Sequence, residues 1–139
     1  MRILFLGDVV GMSGCSKIIK SLSSQIKMKK IDFVIVNGEN ADETGVGLTK
    51  EICQNFFESG VNVITTGNHV WDKKDIMKFI DDENRLLRPK NLFEPAPGKG
   101  FQVYNTAENI RVGVLNLMGN VFMKKCDDVF EASKKFIEK

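Results

Sequence analysis

The sequence predicts an α/β fold built on a parallel sheet, and three observations point to it. Short apolar runs of strand length alternate with helix-like amphipathic segments, the pattern of βαβ units joined by right-handed crossovers. The first run, Arg2-Ile-Leu-Phe-Leu6, is continuously apolar after Arg2, as in a strand covered on both faces. Polar residues gather where the runs end, which is where open α/β sheets hold their ligands.

In order along the chain, Arg2 to Leu6 is the first strand. Ser16 to Lys30 is a helix, with Ile18, Ile19, Leu22 and Ile26 at spacings of three and four. Ile31 to Val36 is the second strand. Thr49 is an N-cap for a helix whose apolar face is Ile52, Cys53, Phe56 and Phe57, and Gly60 suits its C-terminal cap. Val61 to Thr66 is the third strand. Asp72 is placed to cap a helix that buries Ile76, Met77, Phe79 and Ile80. Asn84 to Gly100 holds all three prolines and reads as a long ordered loop. Phe101 to Tyr104 and Ile110 to Leu115 are two strands around a polar turn. Asp127 or Asp128 caps a last helix, with Val129, Phe130, Phe136 and Ile137 on its inner face.

Composition narrows the function. At 139 residues the chain predicts one domain, and it can bury about two thirds of its unfolded surface. Its residues are 42% hydrophobic and 27% charged, an ordinary globular balance. A net charge of +2 gives no electrostatic case for nucleic acid or an anionic membrane. No run approaches the length of a membrane span, and the amino terminus does not resemble a signal peptide. Three widely spaced cysteines, with no Cys-x-x-Cys, point to reduced thiols in the cytoplasm. With one histidine, His69, the chain holds no histidine-rich metal site.

Three strands end in Gly7-Asp8, Asn37-Gly38-Glu39-Asn40 and Gly67-Asn68-His69. Parallel strands would put these clusters along one edge. Asp, Glu and Asn offer the oxygen ligands that hard or borderline divalent metals take. The glycines before Asp8, Glu39 and Asn68 would permit sharp turns aiming those side chains at one point. Taken singly, an aspartate such as Asp8 is most often a turn residue or helix cap, the second cluster could be only a turn, and a lone histidine such as His69 is more often structural than catalytic. Their recurrence at equivalent strand ends favours a shared site.

Other signals are weaker. Gly7-x-x-x-Gly11-x-x-Gly14 precedes a helix but lacks the Gly-Lys-Ser/Thr ending of a phosphate loop, leaving a nucleotide-binding Rossmann domain as the alternative. Cys15 lies near that helix start, a place that can lower a thiol pKa, yet a buried, inert thiol is the better reading. Trp71 lines the site or packs beneath its loop.

The motifs also carry a resemblance. Gly7-Asp8-Val9-Val10-Gly11, Asn37-Gly38-Glu39-Asn40-Ala41, Thr66-Gly67-Asn68-His69-x-Trp71-Asp72-Lys73-Lys74, Leu87-Arg88-Pro89 and Asn116-Leu117-x-Gly119-x-Val121-Phe122-Met123 occur in order. Together they resemble the bacterial YmdB-type metallophosphoesterases of the calcineurin-like superfamily, over essentially the whole chain. The resemblance implies a metallophosphoesterase sandwich, a parallel-rich sheet flanked by helices. It implies two divalent metal ions, iron or manganese: Asp8 and Asn40 on one, Glu39 bridging, and Asn68 on the second. His69 would be catalytic, protonating the leaving oxygen or steadying phosphoryl charge, and the substrate a small phosphodiester or 2′,3′-cyclic nucleotide.

That chemistry suits such residues. Two metals about 3.5–4 Å apart can clamp phosphoryl oxygens and lower the pKa of bound water to about 7. An imidazole near neutrality can supply the proton a departing alkoxide needs.

The sequence also departs from the pattern. The superfamily opening Asp-x-His is Asp8-Val9-Val10 here, and Cys15 and Asn120 stand where a basic residue and an arginine are usual. Three further histidine ligands lie in family blocks, Asp-x-His-x-Glu and Gly-x-His-x-His, that this sequence lacks. Residues 1–139 are therefore expected to form the amino-terminal part of a single, apparently incomplete metallophosphoesterase domain, with impaired metal retention and little activity alone. The alternatives are a non-catalytic metal- or anion-binding remnant and half of a split enzyme. Exposed apolar surface on such a half would favour self-association into a homo-oligomer.

Overall fold

A computed structural model describes residues 1–93, 95–123 and 125–137. The chain alternates strand and helix as its periodicity requires: β1 (Ile3–Leu6), α1 (Gly11–Lys29), β2 (Phe33–Asn37), α2 (Lys50–Ser59), β3 (Val63–Thr65), a 3₁₀ turn (Lys74–Lys78) and β4 (Leu86–Leu87). These four strands form one parallel sheet in the order β1-β2-β3-β4. Among the described residues the order runs without a reversal. An antiparallel ribbon, β5 (Phe101–Asn105) with β6 (Arg111–Leu115), follows, and α3 (Val129–Ile137) comes last.

The sheet separates two apolar clusters, set by the period-2 alternation of strand side chains. On one face Val34, Val36, Ile64 and Leu86 pack with Leu22 of α1 and Ile52, Cys53 and Phe56 of α2. On the other, Phe33, Val63 and Leu87 pack beneath Val112 and Val114 of β6. The result is a sandwich: helices on one face of the parallel sheet and a β-ribbon on the other.

Local chemistry explains where α2 begins and ends. The Thr49 hydroxyl accepts the Ile52 amide at 3.3 Å, and Gly60 takes the left-handed conformation at φ 109° that closes the helix.

Elsewhere the structure corrects the sequence reading. Helix α1 starts at Gly11 instead of Ser16, because its first amide is held by the Asn40 carbonyl at 2.9 Å and no side-chain cap is needed. Asp72 caps nothing; the following segment winds only into the 3₁₀ turn, which buries Ile76 but leaves Met77 half-exposed. The proline-rich loop contains β4, whose two residues pair with Ile64 and Thr65. Asp128 caps α3 through the amides of Phe130 and Glu131, but the helix lies on the surface. Among the described residues Phe136 of the expected inner face meets the Phe101 ring at 5.2 Å, whereas Phe130 and Ile137 are exposed. Strand β1 is not covered on both faces, since the ribbon packs over β2, β3 and β4 and leaves Ile3 and Phe5 47% and 59% exposed.

Candidate metal centre

The carboxyl ends of β1, β2 and β3 share one edge of the sheet, and backbone hydrogen bonds continue the pairing into their loops. The Val9 amide donates to the Asn37 carbonyl at 3.0 Å, and the Gly38 amide donates to that of Thr65 at 3.0 Å. A parallel bridge joins Val10 to Asn40. Beyond β3, the Asn116 side-chain amide donates to the carbonyls of Thr66 and Leu87, at 2.9 and 3.0 Å, so the end of β6 braces the floor.

At this edge the sequence-predicted residues meet in pairs. The Asn40 side-chain amide donates to an Asp8 carboxylate oxygen at 2.8 Å. Asp8 itself has φ 47°, a left-handed conformation that aspartate tolerates better than most residues. Glu39 and Asn68 line one groove of about 660 Å³ with Asn37 and Thr66. Burial pushes the Glu39 carboxyl up; the Asn37 side chain and the nearby His69 pull it down, and the Asp8 charge pushes it up again. Glu39 therefore lies within electrostatic reach of both Asp8 and His69.

The glycines contribute by their size. Gly7, Gly38 and Gly67 are absent from the residues with positive φ, so the sharp turn belongs to Asp8. A Cβ on Gly67 would collide with the Glu39 carboxylate, and one on Gly38 would press on Ile64 at 3.2 Å. Their missing side chains let Glu39 lie directly against the end of β3.

Four further residues shape the site in ways the sequence reading did not anticipate. The Asp72 carboxylate meets Nδ1 of His69 at 2.6 Å, fixing the ring from its own loop. Lys73 reaches Asp42 at 2.5 Å, and its stem lies against Gly47, whose φ is 83°. Asp42 is buried and also accepts the Thr44 amide and hydroxyl. Burial alone would raise its carboxyl pKa, but the bonds from Lys73 and Thr44 outweigh that and hold it low. Lys73 thus ties the loop after β2 to the loop after β3. Lys73→Met is expected to cost roughly 1–3 kcal/mol in urea unfolding, because Asp42 stays buried with one charge-assisted partner gone. Asn116, which braces the floor from the end of β6, is the fourth.

Other motif residues prove structural. Cys15 is buried, its thiol donating to the Ala41 carbonyl at 3.2 Å, and burial raises its pKa. Trp71 packs against the main core. Arg88 is buried and donates to the carbonyls of Pro89, Ala96 and Pro97, which orders the proline-rich loop.

Asp8, Glu39, Asn40 and Asn68 are all oxygen donors, a set suited to hard or borderline divalent cations. Among the described residues, however, no three His, Cys, Asp or Glu side chains form a metal-binding cluster. With only two carboxylates, the edge offers a partial donor set.

A model of the YmdB-like protein family matches residues 4–139. The chain belongs to that family. It is 46% identical over 138 residues to the 2′,3′-cyclic-nucleotide 2′-phosphodiesterase of Bacillus subtilis, covering 99% of this chain and 51% of that protein. Two crystal structures share its fold. A hypothetical protein from Thermus thermophilus superposes with a TM-score of 0.91 at 34% identity, covering all of this chain and 53% of the other. A novel phosphatase from Mycoplasma pneumoniae superposes with a TM-score of 0.89 at 32% identity, over 99% of this chain and 50% of its own. The chain therefore spans about half the length of these family relatives. Among its described residues no helix is long and apolar enough to cross a membrane.

Proposed function

We propose that the chain contributes the oxygen-ligand side of a binuclear phosphodiesterase site acting on small phosphodiesters such as 2′,3′-cyclic nucleotides. The observation that carries this reading is the position of Glu39. Its carboxylate lies against Gly67, between the Asp8–Asn40 pair and the loop bearing Asn68 and His69. A carboxylate in that place is suited to bridging two cations. Asp8 and Asn40 would hold one manganese or iron ion, and Asn68 would hold the other through its side-chain carbonyl. When bound, the two metals would supply charge neutralisation at the phosphoryl oxygens and a water acidified towards neutrality.

The chain's own residues do the remaining work. Asp72 engages Nδ1 of His69, which leaves Nε2 as the nitrogen free to give a proton to the departing oxygen. Glu39, Asn37 and Asn68 line the groove that would receive the substrate. The name of the Bacillus subtilis relative supports a cyclic-nucleotide substrate. A cytoplasmic location belongs to the same proposal and is supported by three free cysteines.

Hydrolysis of 2′,3′-cyclic AMP should require added manganese or iron and disappear with a chelator. It should also fall sharply in Glu39→Gln. Metal-independent hydrolysis, or full activity in Glu39→Gln, would contradict the proposal.

A further inference from the structure

Asn116 opens a sequence motif whose other end, Val121-Phe122-Met123, stands out from the surface beside the candidate metal centre. After Asn116, Met118 and Gly119 line the groove of about 660 Å³ that holds Glu39 and Asn68, and Met123 lines it again. Phe122 is fully exposed, and Val121 and Met123 on either side of it are exposed too. Among the described residues the Phe122 ring meets no other aromatic ring. The chain is nevertheless fastened before and after this tip by one buried side chain, Asn91. Its Oδ1 accepts the Met118 amide at 2.9 Å, and its Nδ2 donates to the Met118 and Asp127 carbonyls at 2.6 and 2.9 Å. The Asp127 amide donates in turn to the Asn91 carbonyl at 2.9 Å. Phe122 itself takes φ 58°, a left-handed conformation that a bulky residue rarely adopts. Strain of this kind persists only where the surroundings fix it, and it gathers at segments that grip ligands. A ring held out into water in this way gains nothing from folding, whereas a flat ligand would bury it.

We propose that Phe122 and Met123 form the nucleobase-binding wall of this groove and so select nucleotides over other phosphodiesters. The inference rests on the phosphodiesterase reading of the same groove and adds the part of the substrate that the metals would not touch. A 2′,3′-cyclic nucleotide joins a charged phosphodiester to a flat base through a single ribose. With its phosphate at Glu39 and Asn68, the base reaches the part of the same groove that Met123 lines. A thioether and an aromatic ring both pack well on the face of a base, and they do so whatever its sequence identity. The side chains of Val121, Phe122 and Met123 carry no strong hydrogen-bonding group with which to read a base edge. Selection at this wall is therefore for the presence of a base, with purines favoured over pyrimidines by their larger face.

Adenosine, added to the chain without metal, is expected to move the Met123 methyl resonance upfield, the mark of a base lying over it. In calorimetric titrations with manganese present, Phe122→Ala should bind adenosine 3′-phosphate about tenfold more weakly than wild type, the loss of one stacked base. The same variant should bind inorganic phosphate as tightly as wild type. Phe122→Trp, which keeps a ring, should bind adenosine 3′-phosphate at least as tightly as wild type. Because Phe122 is fully exposed, neither variant should change the melting temperature. Glu39→Gln should keep the adenosine-induced shift while losing hydrolysis, so failure of the metal-centre reading leaves this test standing. An unmoved Met123 resonance, unchanged nucleotide affinity in Phe122→Ala, or an equal loss of affinity for inorganic phosphate would each overturn the inference. A dimer that Phe122→Ala dissociates and adenosine does not would overturn it as well, by assigning the tip to self-association.

Discussion

His69→Ala lowers phosphodiester hydrolysis by about 10²–10⁴-fold, the usual contribution of a positioned proton donor, and leaves metal content unchanged. The expectation rests on the way His69 is held. Nδ1 is engaged by Asp72 at 2.6 Å, and the ring is close enough to lower the Glu39 carboxyl pKa by its charge. An imidazole tied through one nitrogen presents the other to the substrate and is poorly placed to bind metal through Nδ1. The variant is compared with wild type, with hydrolysis and bound metal measured on the same sample. Loss of both together would make His69 a ligand and assign the proton to another group. Asp72→Ala should reproduce part of the defect, since it removes the group that orients the ring.

Gly67→Ala separates stability from metal binding. The added methyl would occupy space taken by the Glu39 carboxylate. That carboxylate is the far end of a flexible side chain and can swing aside, so the fold should survive with little change in melting temperature. The swing, however, takes Glu39 from its place between the two halves of the edge. Manganese affinity should fall by about 10–100-fold, the range seen when residues that orient ligands are changed. Calorimetric titration and thermal unfolding of the same variant test both halves of the expectation. A large drop in melting temperature with unchanged affinity would make Gly67 a packing residue only.

The contrast between these residues indicates what a single sequence can reveal. Local signals were legible where one residue type has one physical use. Thr49 and Gly60 bracket α2 because a hydroxyl caps one end and glycine tolerates φ 109° at the other. The three polar clusters were legible as a group because parallel strands must bring their ends to one edge. β4 was hidden because two leucines between charged and proline residues give no period to read. Asp72 was misread as a cap because an aspartate before an amphipathic segment has two local uses, and here the imidazole three residues earlier wins. The glycines at the strand ends were found, but their reason was not. A turn preference is local, whereas room for Glu39 against Gly67 is a contact between residues 28 positions apart. The apolar run of β1 was read as the mark of a strand covered on both faces, whereas the described residues leave Ile3 and Phe5 exposed on one of them.

Manganese titration followed by nuclear magnetic resonance tests the central claim, a metal centre at the ends of β1, β2 and β3, most directly. Paramagnetic broadening marks where the ion binds even when affinity is low, and the single histidine gives an unambiguous side-chain signal. Broadening should appear first at Asp8, Glu39, Asn40, Asn68 and His69, and Glu39→Gln should suppress it. Broadening that begins instead on the acidic surface at Asp81, Asp82 and Glu83, with the three loops untouched, would contradict the claim.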